Sequence, residues 1–312
     1  MAFLPREKSK AAEKQWYADA NRLGVSNTSI YDIQTYKSAS KIEEQQFLAL
    51  RALWVRVTRE EFDPEQWGIV NVGNTRTLLN GLPFWKDYVN EIKSSPSGPS
   101  LPKTPHISPL ADVLSTPESA HSEYIEDSKF SRLQDEQIVN TALISFASVL
   151  TYSVQGVNGH WSLQRKAFTF GEGRSKLYEA RTDGHLFSTT NPQTSKAIVE
   201  TKKQLRNEIP DVRRQEAAQM AAWIFSEPTE HQIVSRPSWN GYRRYMVSQD
   251  RHTIYLIVAE YNSDYIMYLR DPEYNSTCSF MTMFECGPWD VSVKNHMVHL
   301  GAILLAMTLQ LT

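Results

Sequence analysis

One short stretch of the chain carries residues that could do chemistry. Asp183 lies in the run YEARTDGHLF, which begins at Tyr178, and after a polar turn the run AIVETKK sets Glu200-Thr201-Lys202 at its end. Both runs have the β-branched, aromatic and alternating character of strands. Alternate residues of a strand point to one face, so Glu200 and Lys202 project together. Asp183 joins them if the two strands pair. Two carboxylates beside one ammonium suit a hard divalent cation with oxygen ligands, such as Mg²⁺, and the attack of water on a phosphodiester.

The elements that must position these residues are ordered around them. Asp135 to Tyr152, with Ile138, Ala142, Phe146 and Val149 recurring on one face, predicts a long helix. WSLQRKAFTF from Trp161 and KLYEARTDGHLF from Lys176 predict two strands about a Gly171-Glu172-Gly173 turn, and Ala197 to Lys202 a third. DVRRQEAAQMAAWIF, from Asp211, predicts a helix; YRRYMVS from Tyr242, TIYLIVAEY from Thr253 and YIMYLR from Tyr265 predict further strands. Three strands joined by short turns make an antiparallel meander, and a crossover helix then places the next strand parallel to its neighbour. The expected fold class is α/β, a central mixed sheet flanked by helices.

Outside this core, Lys41 to Glu61 has Phe47, Leu50, Leu53, Trp54 and Val57 at helical spacing and predicts an amphipathic helix, with another from Pro83 to Ile92. Residues 1–93 are expected to form a helical region that packs on or precedes the core, and 131–312 the domain that contains the core. Residues 94–130, dense in proline and serine, read as a flexible linker. The apolar tail from Met297 is shorter than the roughly 20 residues that span a bilayer, and predicts a buried terminal helix.

The 312 residues, 41% of them hydrophobic, suffice for a substantial core. A formal net charge of −2 excludes a broadly basic surface for nucleic acid, so such binding must use local patches. Arg165-Lys166, Lys202-Lys203 with Arg206, Arg213-Arg214 and Arg243-Arg244 are the candidates. Two cysteines, Cys278 and Cys286, make neither a disulfide framework nor a zinc site by spacing. With a charged start and no apolar leader, an intracellular location, nucleus or cytoplasm, is expected, without membrane contact. The chain has no G-x-S-x-G elbow, no phosphate loop ending in G-K-[ST] and no H-E-x-x-H helix, which leaves serine hydrolase, P-loop and zinc-protease chemistry without support.

Taken together, Asp183 and Glu200-Thr201-Lys202 resemble the motif of the PD-(D/E)xK nuclease superfamily, an acid on the second core strand and an acid-x-Lys on the third. Thr182-Asp183-Gly184-His185-Leu186 is similar to the family's PDG-L form, with Thr in place of Pro. DEQIVNTAL, ARTDGHL, AIVETKK, RRQEAAQMAAWI and SQDRHTIYL look like an uncharacterised fungal group with this nuclease-like domain. The resemblance spans roughly residues 133 to 260. It implies a restriction-endonuclease-like αβββαβ core and Mg²⁺-dependent hydrolysis, with Mn²⁺ as a substitute metal. Asp183 and Glu200 would bind the metal together with the backbone carbonyl of Thr201, and Lys202 would assist the attacking water. Glu136, near the start of the preceding helix, matches an extra acid that several members use for metal or its waters. Gln219-x-x-x-Trp223 resembles a Gln-x-x-x-Tyr element whose Gln approaches the site; Gln215 is an equal candidate. Nucleic acid would be the partner, DNA favoured over RNA, held by Arg165, Lys166, Lys203, Arg206, Arg213 and Arg214; a homodimer or a protein partner stays open.

Plainer readings compete. Glu136 is also a helix-start acid favoured by the macrodipole, and the glutamines can be surface residues of an Ala-rich helix. His185 shares Asp183's face, as substrate contact or structural residue, and Glu179 with Arg181 reads as a cross-strand ion pair. A nuclease-like fold that binds nucleic acid or protein without cleaving, or an intracellular toxin, uses the same residues; the intact Asp, Glu and Lys weigh against the silent form.

Overall fold

The site strand AIVETK is buried along nearly its whole length, which requires a sheet with both faces covered. A computed structural model, described for residues 4–94, 136–152, 154–173, 176–207, 211–236, 239–274 and 279–312, shows how. In chain order it runs α1 (Leu4–Arg22), α2 (Glu44–Ala49), β1 (Ala52–Val57), α3 (Val72–Gly81), α4 (Pro83–Ser94) and α5 (Glu136–Tyr152). β2 (Gly159–Ser162), β3 (Ala167–Phe170), β4 (Tyr178–Arg181), β5 (Gly184–Ser188), β6 (Ala197–Lys202) and α6 (Val212–Ser226) follow. The chain ends with β7 (Gln232–Arg236), β8 (Trp239–Asp250), β9 (Thr253–Tyr261), α7 (Ser263–Arg270), β10 (Met281–Asp290) and α8 (Lys294–Leu311). The linker proposed for 94–130 lies almost wholly outside the described residues, as does Cys278.

Eight strands form one mixed, largely antiparallel sheet in the order β1-β10-β9-β8-β6-β5-β2, with β7 added to β8. Among the described strands only β1/β10 and β6/β8 pair in parallel. β3 and β4 make a separate two-stranded ribbon. Leaving that ribbon aside, the elements about the site succeed one another as α5, β2, β5, β6, α6, β7, β8; β2-β5-β6 is antiparallel, and α6 followed by the edge strand β7 carries the chain to β8, parallel to β6 and antiparallel to β7. Alternation along the strands divides the core. Val199, Val247, Leu256 and Val258 face α5 and α8, whereas Ile198, Met246, Ile257 and Ala259 face α6 and α7.

Each of the two strands expected, Trp161 to Phe170 and Lys176 to Phe187, is two: Trp161 and Ser162 belong to β2 in the central sheet, whereas Ala167–Phe170 is β3 in the ribbon. β4 pairs with β3, and the chain then passes through Thr182 and Asp183 into the central sheet, where β5 begins at Gly184. Gly184 is required there: a Cβ would stand 2.5 Å from the Ser162 carbonyl oxygen and 2.9 Å from Ile144 Cδ1.

Two other elements differ from expectation. The helix expected over Lys41 to Glu61 stops at Ala49; Arg51 turns the chain with φ +51, and Ala52–Val57 becomes a strand beside β10. ALWVRV is aromatic and β-branched, and its period-2 reading was masked by a coincident helical spacing; pairing with β10 decided between them. YIMYLR is helix α7, not a strand, because Tyr265, Tyr268 and Leu269 bury one helical face and the Asn262 side chain caps Tyr265 N. On α5, Ile138 is exposed and the buried face runs through Val139, Leu143, Phe146 and Leu150. Helices α4, α6 and α8 form where their patterns placed them.

Candidate metal centre

Glu200 and Lys202 lie on the α6 side of β6, at the strand's end, and Asp183 enters from the adjoining strand. Glu136, in the first turn of α5, completes the group. One carboxylate oxygen each from Glu136, Asp183 and Glu200 lie within 4.8 Å of one another. These acids, with Lys202, line an open cleft of about 360 Å³ that Ser38 and Ser40 also line.

Both oxygens of Asp183 and of Glu200 are held. Thr201 donates both its backbone N–H and its Oγ1 to Asp183 Oδ2, each at 3.0 Å, and Arg165 Nη2 donates to Oδ1 at 2.8 Å. An extended residue presents N–H and C=O to the same strand edge, so the Thr201 carbonyl also opens towards Asp183. Lys202 Nζ lies 2.5 Å from Glu200 Oε1 and 3.4 Å from Glu136 Oε1. Asn140, one turn along α5, donates to the Asp183 carbonyl at 2.9 Å and ties the helix to this corner.

Helix α6 brings both glutamines. Gln215 Nε2 donates to Glu200 Oε1 and Gln219 Nε2 to Glu200 Oε2, each at 2.5 Å; Gln219 also reaches the Arg181 carbonyl at 2.8 Å. Trp223 does not follow them. Its ring is fully buried beside Phe168, and its indole N–H goes to Glu227. Residues four apart share a helix face, but eight positions along the face has drifted by about 80°.

Burial, reinforced by the nearby Asp183 charge, pushes the Glu200 carboxyl up to about 8, with Lys202 and Gln219 pulling it back. Burial alone would lower Lys202, but Glu200, then Glu136 and Asp183, hold its ammonium above the ordinary value. Three carboxyls crowd the Lys202 ammonium and the Arg165 guanidinium, so ionisation of Glu200 is disfavoured, the condition that a bound cation would relieve. Its donors are all oxygens, the set a hard divalent ion prefers. A tri-acidic cluster able to coordinate a divalent metal ion is therefore built into the fold.

The basic residues expected to hold nucleic acid separate sharply. Arg206 is corrected outright: it is 2% exposed, its guanidinium bonded to Asp250 (2.5 Å), Glu285 (2.7 Å) and Glu216 (3.2 Å) and stacked on Tyr255. A guanidinium so enclosed has no donor to offer a phosphate. Arg213 is engaged with Glu285 at 2.7 Å, and Arg214 with Asp211 at 3.2 Å. Lys166 bonds the Gln193 carbonyl. Arg243 is buried against Glu260, and Arg244 lies buried over Trp223. Lys203 is exposed, and Arg165 is in the cleft with its side chain 55% exposed.

Arg181 lines the cleft as well, though sequence reasoning saw only its pairing with Glu179; the two bond at 2.7 Å along one strand, not across two. Asn140, Ser38 and Ser40 were missed entirely, since nothing in their local sequence points to the site. His185 is structural: it is buried, bonded to Ser195 Oγ at 3.1 Å, and burial with the Lys166 charge lowers it to about 4.

Comparison with protein-family models, with curated proteins and with solved structures returns no match.

Proposed function

We propose that this chain is a Mg²⁺- or Mn²⁺-dependent nuclease that hydrolyses phosphodiester bonds, of DNA in preference to RNA. The observation that carries the reading is the meeting of Glu136, Asp183 and Glu200 around Lys202 in an open cleft. Asp183 and Glu200 hold the cation, with the Thr201 carbonyl and Glu136 as further oxygen donors. A bound divalent ion would polarise a phosphoryl oxygen and acidify a water. Lys202, kept charged by three carboxylates, orients that water or offsets the negative charge that grows on phosphorus. Gln215 and Gln219 fix the Glu200 carboxylate in one rotamer. With the β3-β4 ribbon and the edge strand β7 as insertions, the succession α5, β2, β5, β6, α6, β8, with its antiparallel meander and its β6/β8 parallel pair, supports kinship with the PD-(D/E)xK superfamily and its restriction-endonuclease-like core.

The test incubates the full chain with linear, circular and single-stranded DNA and with RNA, in Mg²⁺, Mn²⁺ or EDTA, beside Asp183→Ala and Lys202→Ala. Metal-dependent cleavage, lost in both variants, is expected. Cleavage that persists in both sinks the assignment. Absence of cleavage with metal-independent binding favours a fold that binds nucleic acid without cutting it.

A further inference from the structure

Asp183 has two carboxylate oxygens, and they are not equivalent. Oδ2 accepts two bonds from Thr201, one of them from the backbone, and its place is fixed by β6. Oδ1 accepts from Arg165. For Asp183 to ligate a cation without breaking its ties to β6 it must use Oδ1, the oxygen that Arg165 holds. A guanidinium and a divalent ion at one oxygen repel each other, so the two compete.

Arg165 is built to leave. It lies in the short connection between β2 and β3, whose backbone is pinned by Gln164 N on Ser162 Oγ at 3.0 Å and by Thr182 N on the Lys166 carbonyl at 3.0 Å. The side chain is held only at its tip, is more than half exposed, and faces the same cleft as Lys202 and Arg181. A guanidinium released there keeps its planar fork of donors beside the position where the proposed substrate's phosphate must sit, and that fork matches a phosphate's oxygens.

We propose that Arg165 occupies Asp183 Oδ1 in the metal-free protein and, displaced from it when the cation binds, transfers its guanidinium to a phosphate oxygen of the nucleic-acid strand. The inference rests on the metal-centre reading above. It makes Arg165 a substrate-binding residue that is masked until the metal is in place, so metal and strand bind with positive coupling.

The experiment measures Mn²⁺ affinity by calorimetry and, separately, the binding of short labelled DNA and RNA duplexes with Ca²⁺ present, across a salt series, for the wild type, Arg165→Ala, Arg165→Lys and Asp183→Ala. In Arg165→Ala, Mn²⁺ should bind about three- to fivefold more tightly without nucleic acid, as expected when an exposed competing ion pair is removed. The same variant should bind the DNA duplex more weakly, with its salt slope reduced by about one for the lost phosphate contact. Arg165→Lys, which keeps the charge without the fork, should fall between. A larger loss on the RNA duplex than on the DNA duplex would assign the contact to RNA and overturn the DNA preference. Unchanged or weaker Mn²⁺ binding in Arg165→Ala, or an unchanged salt slope, overturns the role of Arg165 while leaving the metal centre standing. Mn²⁺ binding absent from the wild type, or unaltered by Asp183→Ala, overturns the metal centre itself.

Discussion

Lys202 and Asp183 touch the same small volume, yet their removal should have different signatures. Lys202 bonds Glu200 and Glu136 and ligates nothing, so Lys202→Ala should lower kcat by about 10²–10⁴-fold, the range for a positioned proton-handling or charge-offsetting group. Mn²⁺ binding should survive or tighten, because one competing positive charge is gone. Equal loss of metal affinity in Lys202→Ala and Asp183→Ala, read by calorimetry, would contradict this division of roles. Asp183, Glu200 and Lys202 were legible in the sequence because strand alternation is a local rule: knowing that AIVETK is a strand fixes which side chains share a face. The bond from Arg165 to Asp183 was not legible. The two residues are 18 apart, and the β3-β4 ribbon between them decides that they meet.

At the scale of elements, α6 is what holds Glu200 in place, and a buried ion network holds α6. Arg206 links Asp250 on β8, Glu216 on α6 and Glu285 on β10. Burial alone would raise Glu285, but the guanidiniums of Arg213 and Arg206 bring its carboxyl down to about 2. A carboxyl depressed from 4.5 to about 2 contributes stability that is fully present above pH 4.5 and is lost as pH falls towards 2, about 3 kcal/mol in all. Glu216, raised to about 7 by burial, runs the other way between pH 4.5 and 7, so the Glu285 contribution must be read as a difference. Urea unfolding should show the gap between wild type and Glu285→Gln shrinking between pH 5 and pH 2. A gap independent of pH would mean that Glu285 is not held ionised by those arginines. The helix α6 was read correctly because its Ala-rich run admits no other element. Strand β1 and helix α7 were not, since six- and eight-residue apolar segments carry both periods and their partners, β10 and the core below α6, settle the choice.

For the molecule as a whole, the N-terminal region is part of the sheet. β1 pairs along its full length with β10, from Ala52 opposite Met281 to Val57 opposite Cys286, and α1 packs Trp16 and Ala20 against Leu48 and Leu53. Removing residues 1–58 should leave β10 as a bare apolar edge, a template for pairing with another chain. The truncated protein should aggregate where the full chain does not, as read by size-exclusion chromatography with light scattering; a monomeric truncation with unchanged circular dichroism would refute the prediction. The removed segment includes Ser38 and Ser40, which line the cleft, so the same truncation also opens the site. Among the described residues no helix is long and apolar enough to cross a membrane.

By itself the sequence determined the local facts: the α/β alternation, the strand AIVETK with Glu200 and Lys202 on one face, the Asp-Gly step at the mouth of β5, and the helix that presents two glutamines. The alternation, the strand and the helix follow from periodicity, which acts over a few residues; the glycine is written in the sequence, but its need comes from the approach of Ser162 and Ile144. Tertiary structure alone decided the rest. It brought Glu136 to Lys202 across 66 positions, buried Arg206 among three carboxylates, and closed Arg165 over Asp183. A charged side chain's partner is chosen by which strands become neighbours and which groups lose their water, and neither is encoded within reach of the residue itself.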